Sequence, residues 1–185
     1  MLNKGDVIIF PTDTVYGIGA SAFDKKGQDL IYEIKERPLS KRLSILCASL
    51  ADIEKIAYVS SDAKKLIEAF MPGGLTLILK TREEAISDSI HENVGVRIPN
   101  HPLALAILRE NGPMATSSVN KSGMPPLNDY DDIVFHFAAQ VKKIYPNNET
   151  PSRLASTVIN LTKSPYEIIR EGSITLDDIE KVLNK

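Results

Sequence analysis

Four stretches of this 185-residue chain concentrate side chains suited to polar ligands. FPTDTVYGIGA, residues 10–20, runs from an apolar segment into Pro, two Thr, Asp and two Gly. Hydroxyls and exposed backbone amides at a strand end suit recognition of a small polar molecule. KERPLSKR, residues 35–42, places four cations in eight positions, which can converge on phosphate or carboxylate, Arg doing so bidentately. TSSVNKSGMPP, residues 116–126, gathers hydroxyls, Asn, Lys and Gly after an apolar run. Ser117, Ser118 and Asn120 can there present a hydroxyl-rich edge to a nucleotide, although no glycines stand at the GxxxxGK[ST] spacing, which excludes a P-loop. Finally AST (155–157) and IIREG (168–172) each lie at one end of a predicted strand, with Arg170 closing an apolar run.

Taken one at a time, each stretch also reads as plain structure. Residues 10–20 fit a strand-to-helix turn capped by Thr12 or Asp13. Residues 35–42 fit a solvated basic loop whose cations complement a helix C-terminus, and 116–126 fit a Ser/Asn/Gly/Pro turn. Arg170 fits an exposed strand-end charge. His91, His101 and His136 share no metal-ligand spacing with one another or with Cys47, and His101 fits a cap on the helix begun by Pro102. Asp131, Asp132, Asp177 and Asp178 sit where helices begin, so dipole complementarity accounts for them without a paired-carboxylate mechanism. A GxSxG elbow is absent.

The elements that would position these groups follow from short apolar runs at 6–10, 43–48, 75–80, 94–99, 113–117, 141–145, 156–161 and 166–170, which read as strands. Helical spacing marks 28–37, with Leu30, Ile31 and Ile34, and 62–71, with Ala63, Leu66, Ile67 and Phe70. Pro102 near the start and Gly112 at the end frame a third helix, and Thr175 with Asp178 at capping-box spacing opens a C-terminal one. Strand–helix alternation is not strict, so the expectation is an α/β fold with a twisted mixed sheet and flanking helices. No linker divides residues 1–185, which are expected to form a single domain; 146–153 reads as a mobile surface loop.

Composition bounds the reading further. With 43% hydrophobic and 25% charged residues and no repeat, the chain is ordinarily globular. A net charge of −2 disfavours a globally basic nucleic-acid-binding surface. The single Cys47 lies in an apolar run and is expected to be a buried, inert thiol in a reducing cytoplasm. The N-terminus has only four consecutive apolar residues, too few for a signal peptide or a membrane span.

In their order along the chain, FPTDTVYGIGA, KERP, PGGLTLIL, VGVRIPNHP, TSSVNKSG, STVI and IIREG resemble the YrdC-like family, the threonylcarbamoyl-AMP synthases. The resemblance spans nearly the whole chain. It implies a YrdC-type fold and a nucleotidyltransferase that converts L-threonine, bicarbonate and ATP, with Mg²⁺ on the phosphates, into threonylcarbamoyl-AMP and pyrophosphate. The product would pass to the machinery that modifies a tRNA adenosine. By matching motif, Lys35, Arg37, Lys41, Ser118, Asn120 and Arg170 correspond to ATP contacts, and Thr14, Arg97, Thr116 and Ser156 to threonine contacts. Arg97 would clamp the threonine carboxylate. No protein ligand to the metal and no general base is implied, because the reaction chiefly needs positioning and charge neutralisation.

Two positions depart from the pattern. Where many relatives carry His after KxRP, this chain has Arg42 and Leu46, and the glycines common before STVI are replaced by NNETPSRLA. Longer relatives carry an additional C-terminal domain, so this sequence resembles the short form. Two alternatives accompany the enzyme reading: an RNA-binding protein using the KERPLSKR cluster, and a YciO-like paralogue with another substrate.

Overall fold

The computed structural model describes residues 1–149, 152 and 154–184. Among these described residues, nine strands form one mixed sheet: β1 (Ile8–Phe10), β2 (Gly17–Ser21), β3 (Ser44–Leu46), β4 (Leu75–Lys80), β5 (Asn93–Arg97), β6 (Met114–Ser118), β7 (Lys143–Ile144), β8 (Thr157–Asn160) and β9 (Glu167–Arg170). Their order is β7-β1-β2-β6-β3-β5-β4-β8-β9. β1·β7, β3·β5 and β4·β8 are parallel, and the other five pairs are antiparallel. Six α-helices accompany the sheet: α1 (Lys25–Lys35), α2 (Leu50–Ile56), α3 (Ser61–Phe70), α4 (Pro102–Asn111), α5 (Tyr130–Phe137) and α6 (Leu176–Leu183).

Side-chain alternation along the strands decides where the core ends and the cavity begins. On one face, Ile9, Ile18, Ile45, Val94, Val96, Leu75, Leu77 and Ile159 meet Ile31 and Ile34 of α1, Ile53 of α2, Leu66 of α3, Ile133 of α5 and Ile179 of α6. On the other, Ile8, Phe10, Leu46 and Met114 meet Ala104, Ile107 and Leu108 of α4. The single helix α4 covers only part of that second face. Other positions on that same face carry polar side chains: Ser44 on β3, Thr116 and Ser118 on β6, and Arg97 on β5 beyond Gly95.

The helix ends agree with the sequence expectations in chemical detail. The His101 imidazole accepts from the Ala104 amide at the start of α4. Thr175 and Asp178 make a reciprocal capping box on α6, and Asp131 and Asp132 lie in the first turn of α5. Cys47 is fully buried, and that burial pushes its thiol pKa upward, as an inert core thiol requires. α1 begins earlier than its predicted start and ends at Lys35 with Glu36 in the left-handed region, φ 50°. The expected strand at 141–145 is reduced to the two-residue β7.

One expectation is overturned. Residues 10–20 do not turn into a helix: the segment after Thr14 enters β2, and α1 follows only after that strand, capped by Asp24 and not by Thr12 or Asp13. β2 is glycine-bearing for steric reasons. A Cβ on Gly17 would lie 2.8 Å from Thr116 Cγ2, and one on Gly19 would lie 3.0 Å from Thr116 Oγ1. The missing side chains let Thr116 lie across β2. The predicted mobile loop at 146–153 includes residues 150, 151 and 153, which lie outside the described residues.

Candidate functional site

The uncovered part of the second face forms a cavity of about 220 Å³. Its walls include Thr12 and Thr14 from the segment before β2, Ser44, Thr76, Arg97, Thr116, Ser118, Ser156 and the guanidiniums of Arg37, Arg42 and Arg170. Register explains the convergence. Thr116 pairs with Gly19 on one side and Ser44 on the other, Ser118 pairs with Gly17, and Leu46 pairs with Arg97. Residues more than 80 positions apart thereby share one patch of sheet.

Arg97 is 6% exposed and held on three sides. Its Nε donates to the Gly73 carbonyl at 2.9 Å, Nη1 to Thr14 Oγ1 at 2.9 Å and Nη2 to Asp13 Oδ1 at 2.6 Å. The same Asp13 oxygen accepts from the Asn100 amide at 3.0 Å. Burial lowers the Arg97 pKa, while the Asp13 carboxylate opposes the shift. A guanidinium carries five N–H donors, so three bonds leave two for a ligand.

Arg170 comes from the last residue of β9. Its Nε donates to the Ser156 carbonyl at 3.0 Å and its Nη2 to Ser156 Oγ at 3.2 Å. Ser156 Oγ is also 2.9 Å from Thr76 Oγ1. This chain of contacts fastens β9 to the start of β8. It depends on Gly172, where a Cβ would stand 2.1 Å from the Ala155 carbonyl oxygen. Thr157 completes the junction, its hydroxyl accepting from the Gly172 and Ile174 amides and donating to the Ile174 carbonyl.

Arg37 leaves α1 beyond Glu36 and is half-buried, its Nε bonded to the Lys41 carbonyl at 2.7 Å and its Nη2 to the Arg42 carbonyl at 3.0 Å. These bonds wind 37–42 into a turn that brings Arg42 to the cavity. Burial lowers the pKa of Arg37, as it does that of Arg170.

The structure therefore brings Thr14, Arg37, Arg97, Thr116, Ser118, Ser156 and Arg170 to one cavity wall. Lys35, Lys41 and Asn120 stand elsewhere. Lys35 is 1% exposed, and its ammonium donates to the Ser118 carbonyl at 2.5 Å, the Asn120 carbonyl at 2.7 Å and Asn120 Oδ1 at 2.9 Å. It acts from behind, folding the Ser118–Asn120 turn. Burial, with the Arg37 charge second, brings its pKa down to about 8. Asn120 accepts from Ser118 Oγ at 2.7 Å and lines a neighbouring apolar groove of about 390 Å³ with Met124, Pro125, Pro126, Leu127 and Phe137. The Lys41 side chain is exposed and lies outside the cavity wall.

Two contributors were not legible in the sequence. Asp13 reads locally as one of two candidate caps with Thr12, and its pairing with Arg97 spans 84 positions. Thr76 sits inside LTLILK, and only strand alternation, which sends Thr76 opposite to Leu75 and Leu77, could have flagged it.

Comparison with known proteins follows from this geometry. Residues 1–172 match the Sua5/YciO/YrdC family model, described as "Telomere recombination". The chain is 35% identical over 188 residues to a Bacillus subtilis protein named threonylcarbamoyl-AMP synthase, covering 99% of this chain and 54% of that protein. Among solved structures it is similar to Pyrococcus abyssi Sua5 complexed with L-threonine, at 36% identity and a TM-score of 0.89, covering 97% of this chain and 54% of that one. It is also similar to Escherichia coli YciO, at 28% identity and a TM-score of 0.85, covering 95% and 87%. The chain thus spans about half the length of the Bacillus and Pyrococcus relatives. With the family model matched over residues 1–172 and the nine-stranded mixed sheet shared with Sua5 and YciO, the chain belongs to the Sua5/YciO/YrdC family.

Proposed function

We propose that this chain is an L-threonylcarbamoyladenylate synthase, a nucleotidyltransferase that makes threonylcarbamoyl-AMP and pyrophosphate from L-threonine, bicarbonate and ATP. One observation carries the reading: four guanidiniums, those of Arg37, Arg42, Arg97 and Arg170, line a hydroxyl-rich cavity whose described wall residues include no Asp or Glu. Such a cavity suits a ligand with several anionic groups. A carboxylate, a carbamate and a triphosphate supply them.

The amino-acid carboxylate goes to the two open donors of Arg97, beside Thr14 and Ser156. The phosphates go to Arg37 and Arg170, with the Ser118 hydroxyl at the same wall and Lys35 and Asn120 fixing the turn that presents it. Lys41 is then a peripheral contact. The nucleotide base fits the apolar groove beside Asn120. Guanidiniums and hydroxyls dominate the described wall, so magnesium, if it accompanies ATP, would be held through the phosphates and would share in neutralising their charge. The residues' task is to hold a weak carbamate oxygen in line with the α-phosphorus and to neutralise charge. The names borne by the Bacillus and Pyrococcus relatives support the same reading. Delivery of the product to a tRNA-modifying partner belongs to this proposal, as does a cytoplasmic location. Among the described residues, no helix is long and apolar enough to cross a membrane.

The test is pyrophosphate release by the purified chain from ATP, Mg²⁺ and bicarbonate. Release that requires L-threonine and is not supported by other amino acids is the expected result. Absence of release, together with no binding of ATP or threonine, overturns the proposal. Binding of ATP without any response to threonine would instead favour a YciO-like paralogue acting on another substrate.

A further inference from the structure

Four like-charged guanidiniums in one cavity constrain the protonation state of whatever amine enters it. A zwitterionic amino acid brings an ammonium group, which needs acceptors and a counter-charge. Among the described residues, the cavity wall offers no carboxylate. Asp13, the carboxylate paired with Arg97, is not among the lining residues, and its Oδ1 accepts from Arg97 Nη2 and the Asn100 amide. Behind the wall stands another cation, Lys35, whose ammonium is spent on Ser118 and Asn120. Among the described residues, then, the fixed charges lining the cavity are positive: Arg37 and Arg42 from the turn after α1, Arg97 from β5, where Asp13 pairs with it, and Arg170 from β9. Tyr16 also lines the cavity, and burial raises its phenol pKa to about 12, so it stays neutral at pH 7.

Nearby like charges disfavour an ammonium and favour the neutral amine. A neutral amine needs both a donor and an acceptor, and hydroxyls supply both. Hydroxyls are the groups this wall provides, from Thr14, Thr76, Thr116 and Ser156. We propose that the cavity takes L-threonine as its amino-carboxylate anion, with the amine neutral, and that the guanidinium cluster drives the ammonium proton to solvent as the ligand enters. The inference rests on the amino-acid reading of the site given above and adds the protonation state of the substrate. It explains how a wall without a carboxylate base can prepare the nucleophile. The neutral amine's lone pair forms the N–C bond to bicarbonate carbon, the C–OH bond breaks, and the hydroxide departs with one amine proton as water, so that R–NH₂ and HCO₃⁻ give R–NHCO₂⁻ and H₂O. The guanidiniums that disfavour the ammonium favour this second anion.

The experiment is isothermal titration calorimetry of the full chain with L-threonine at pH 7, in carbon-dioxide-free buffers of differing ionisation enthalpy. An α-amine is protonated below its pKa of about 8 or above, so binding of the anion releases about one proton per threonine. Affinity then rises up to about tenfold per pH unit below that pKa. 3-Hydroxybutyrate, which keeps the carboxylate and hydroxyl but lacks the amine, is expected to bind without releasing a proton, which assigns the proton to the ligand amine rather than to Lys35. Threonine binding with no proton release overturns this inference and leaves the functional reading standing. Equal release with 3-hydroxybutyrate also overturns it, because the proton then comes from the protein. If threonine does not bind at all, the functional reading itself fails, and this inference with it.

Discussion

Lys35 holds the turn behind the cavity wall. The KxR resemblance implies a phosphate contact, and here the ammonium donates to two carbonyls and Asn120 Oδ1, while burial brings its pKa down to about 8 from the ordinary 10.5. The sign for stability follows: the unfolded chain binds more protons than the native one between those values, so stability rises with pH from about 8 towards 10.5. Denaturation midpoints of the wild type and Lys35→Met at intervals from pH 7 to 10 should show the wild type gaining relative to the variant, by on the order of 1–3 kcal/mol. A constant difference would mean that the ammonium's three acceptors cancel the effect of burial. Arg97 calls for a different substitution, because removing its charge strands Asp13 in a half-buried position. Arg97→Lys keeps the charge and loses the planar fork. The expected outcome is a KM for threonine raised at least about tenfold, with the KM for ATP changed less than about threefold, because one bidentate charge-assisted contact is lost. Steady-state kinetics with each substrate varied would check this. The chain's order of motifs brought Arg97 to attention, whereas its partner was hidden, since nothing local to Asp13 signals a residue 84 positions away.

At the scale of elements, β2 is the least legible part of the site, whereas the strands of the β8–β9 junction are read from their apolar runs at 156–161 and 166–170. VYGIGAS lacks a long apolar run, and its strand exists because Gly17 and Gly19 make room for Thr116 on β6. That reason lies in the partner strand and not in β2 itself. α2 was missed for being short, seven residues behind a Ser49 cap. By contrast β4, α3, α4 and α6 were legible, because their apolar spacing and caps are local. The β8–β9 junction turns on the fully buried Thr157 hydroxyl, which serves two amides and one carbonyl. Thr157→Val keeps the shape and leaves those backbone groups unmet, at a cost of about 2–4 kcal/mol. Because the junction also seats Arg170 against Ser156, the variant should bind ATP and threonine more weakly than the wild type even at temperatures where it is fully folded. Chemical denaturation and calorimetric titration together would test this. A stability loss with unchanged affinities would show that the junction does not position the site.

Across the whole molecule, the sheet joins the two ends of the cavity through continuous strand pairing. β2, β6, β3, β5, β4, β8 and β9 are neighbours in that order, and each of these seven strands, or the segment leading into it, lines the walls. One apolar cluster runs beneath the same strands from Val7 to Ile179, so α6 packs on the core that also holds β1. With no second core among the described residues large enough to fold apart, residues 1–184 should unfold in one cooperative step, with calorimetric and van't Hoff enthalpies equal. The contribution of α6 can be read separately. Ile179→Ala removes a fully buried side chain and should lower stability by about 2–5 kcal/mol while preserving a single transition. A second, lower transition in the variant would mean that α6 and its neighbours form an independent unit. Saturating ATP should raise the midpoint of that single transition, and by the same mechanism from either end of the sheet, because a ligand bound only by the native state stabilises it by RT ln(1 + [L]/Kd). At a net charge of −2 the attraction is local to the cavity, so the ATP-dependent increment should shrink between 50 and 500 mM salt as the guanidiniums are screened. An increment indifferent to salt would indicate that nucleotide binding depends on the apolar groove beside Asn120 and little on the arginines.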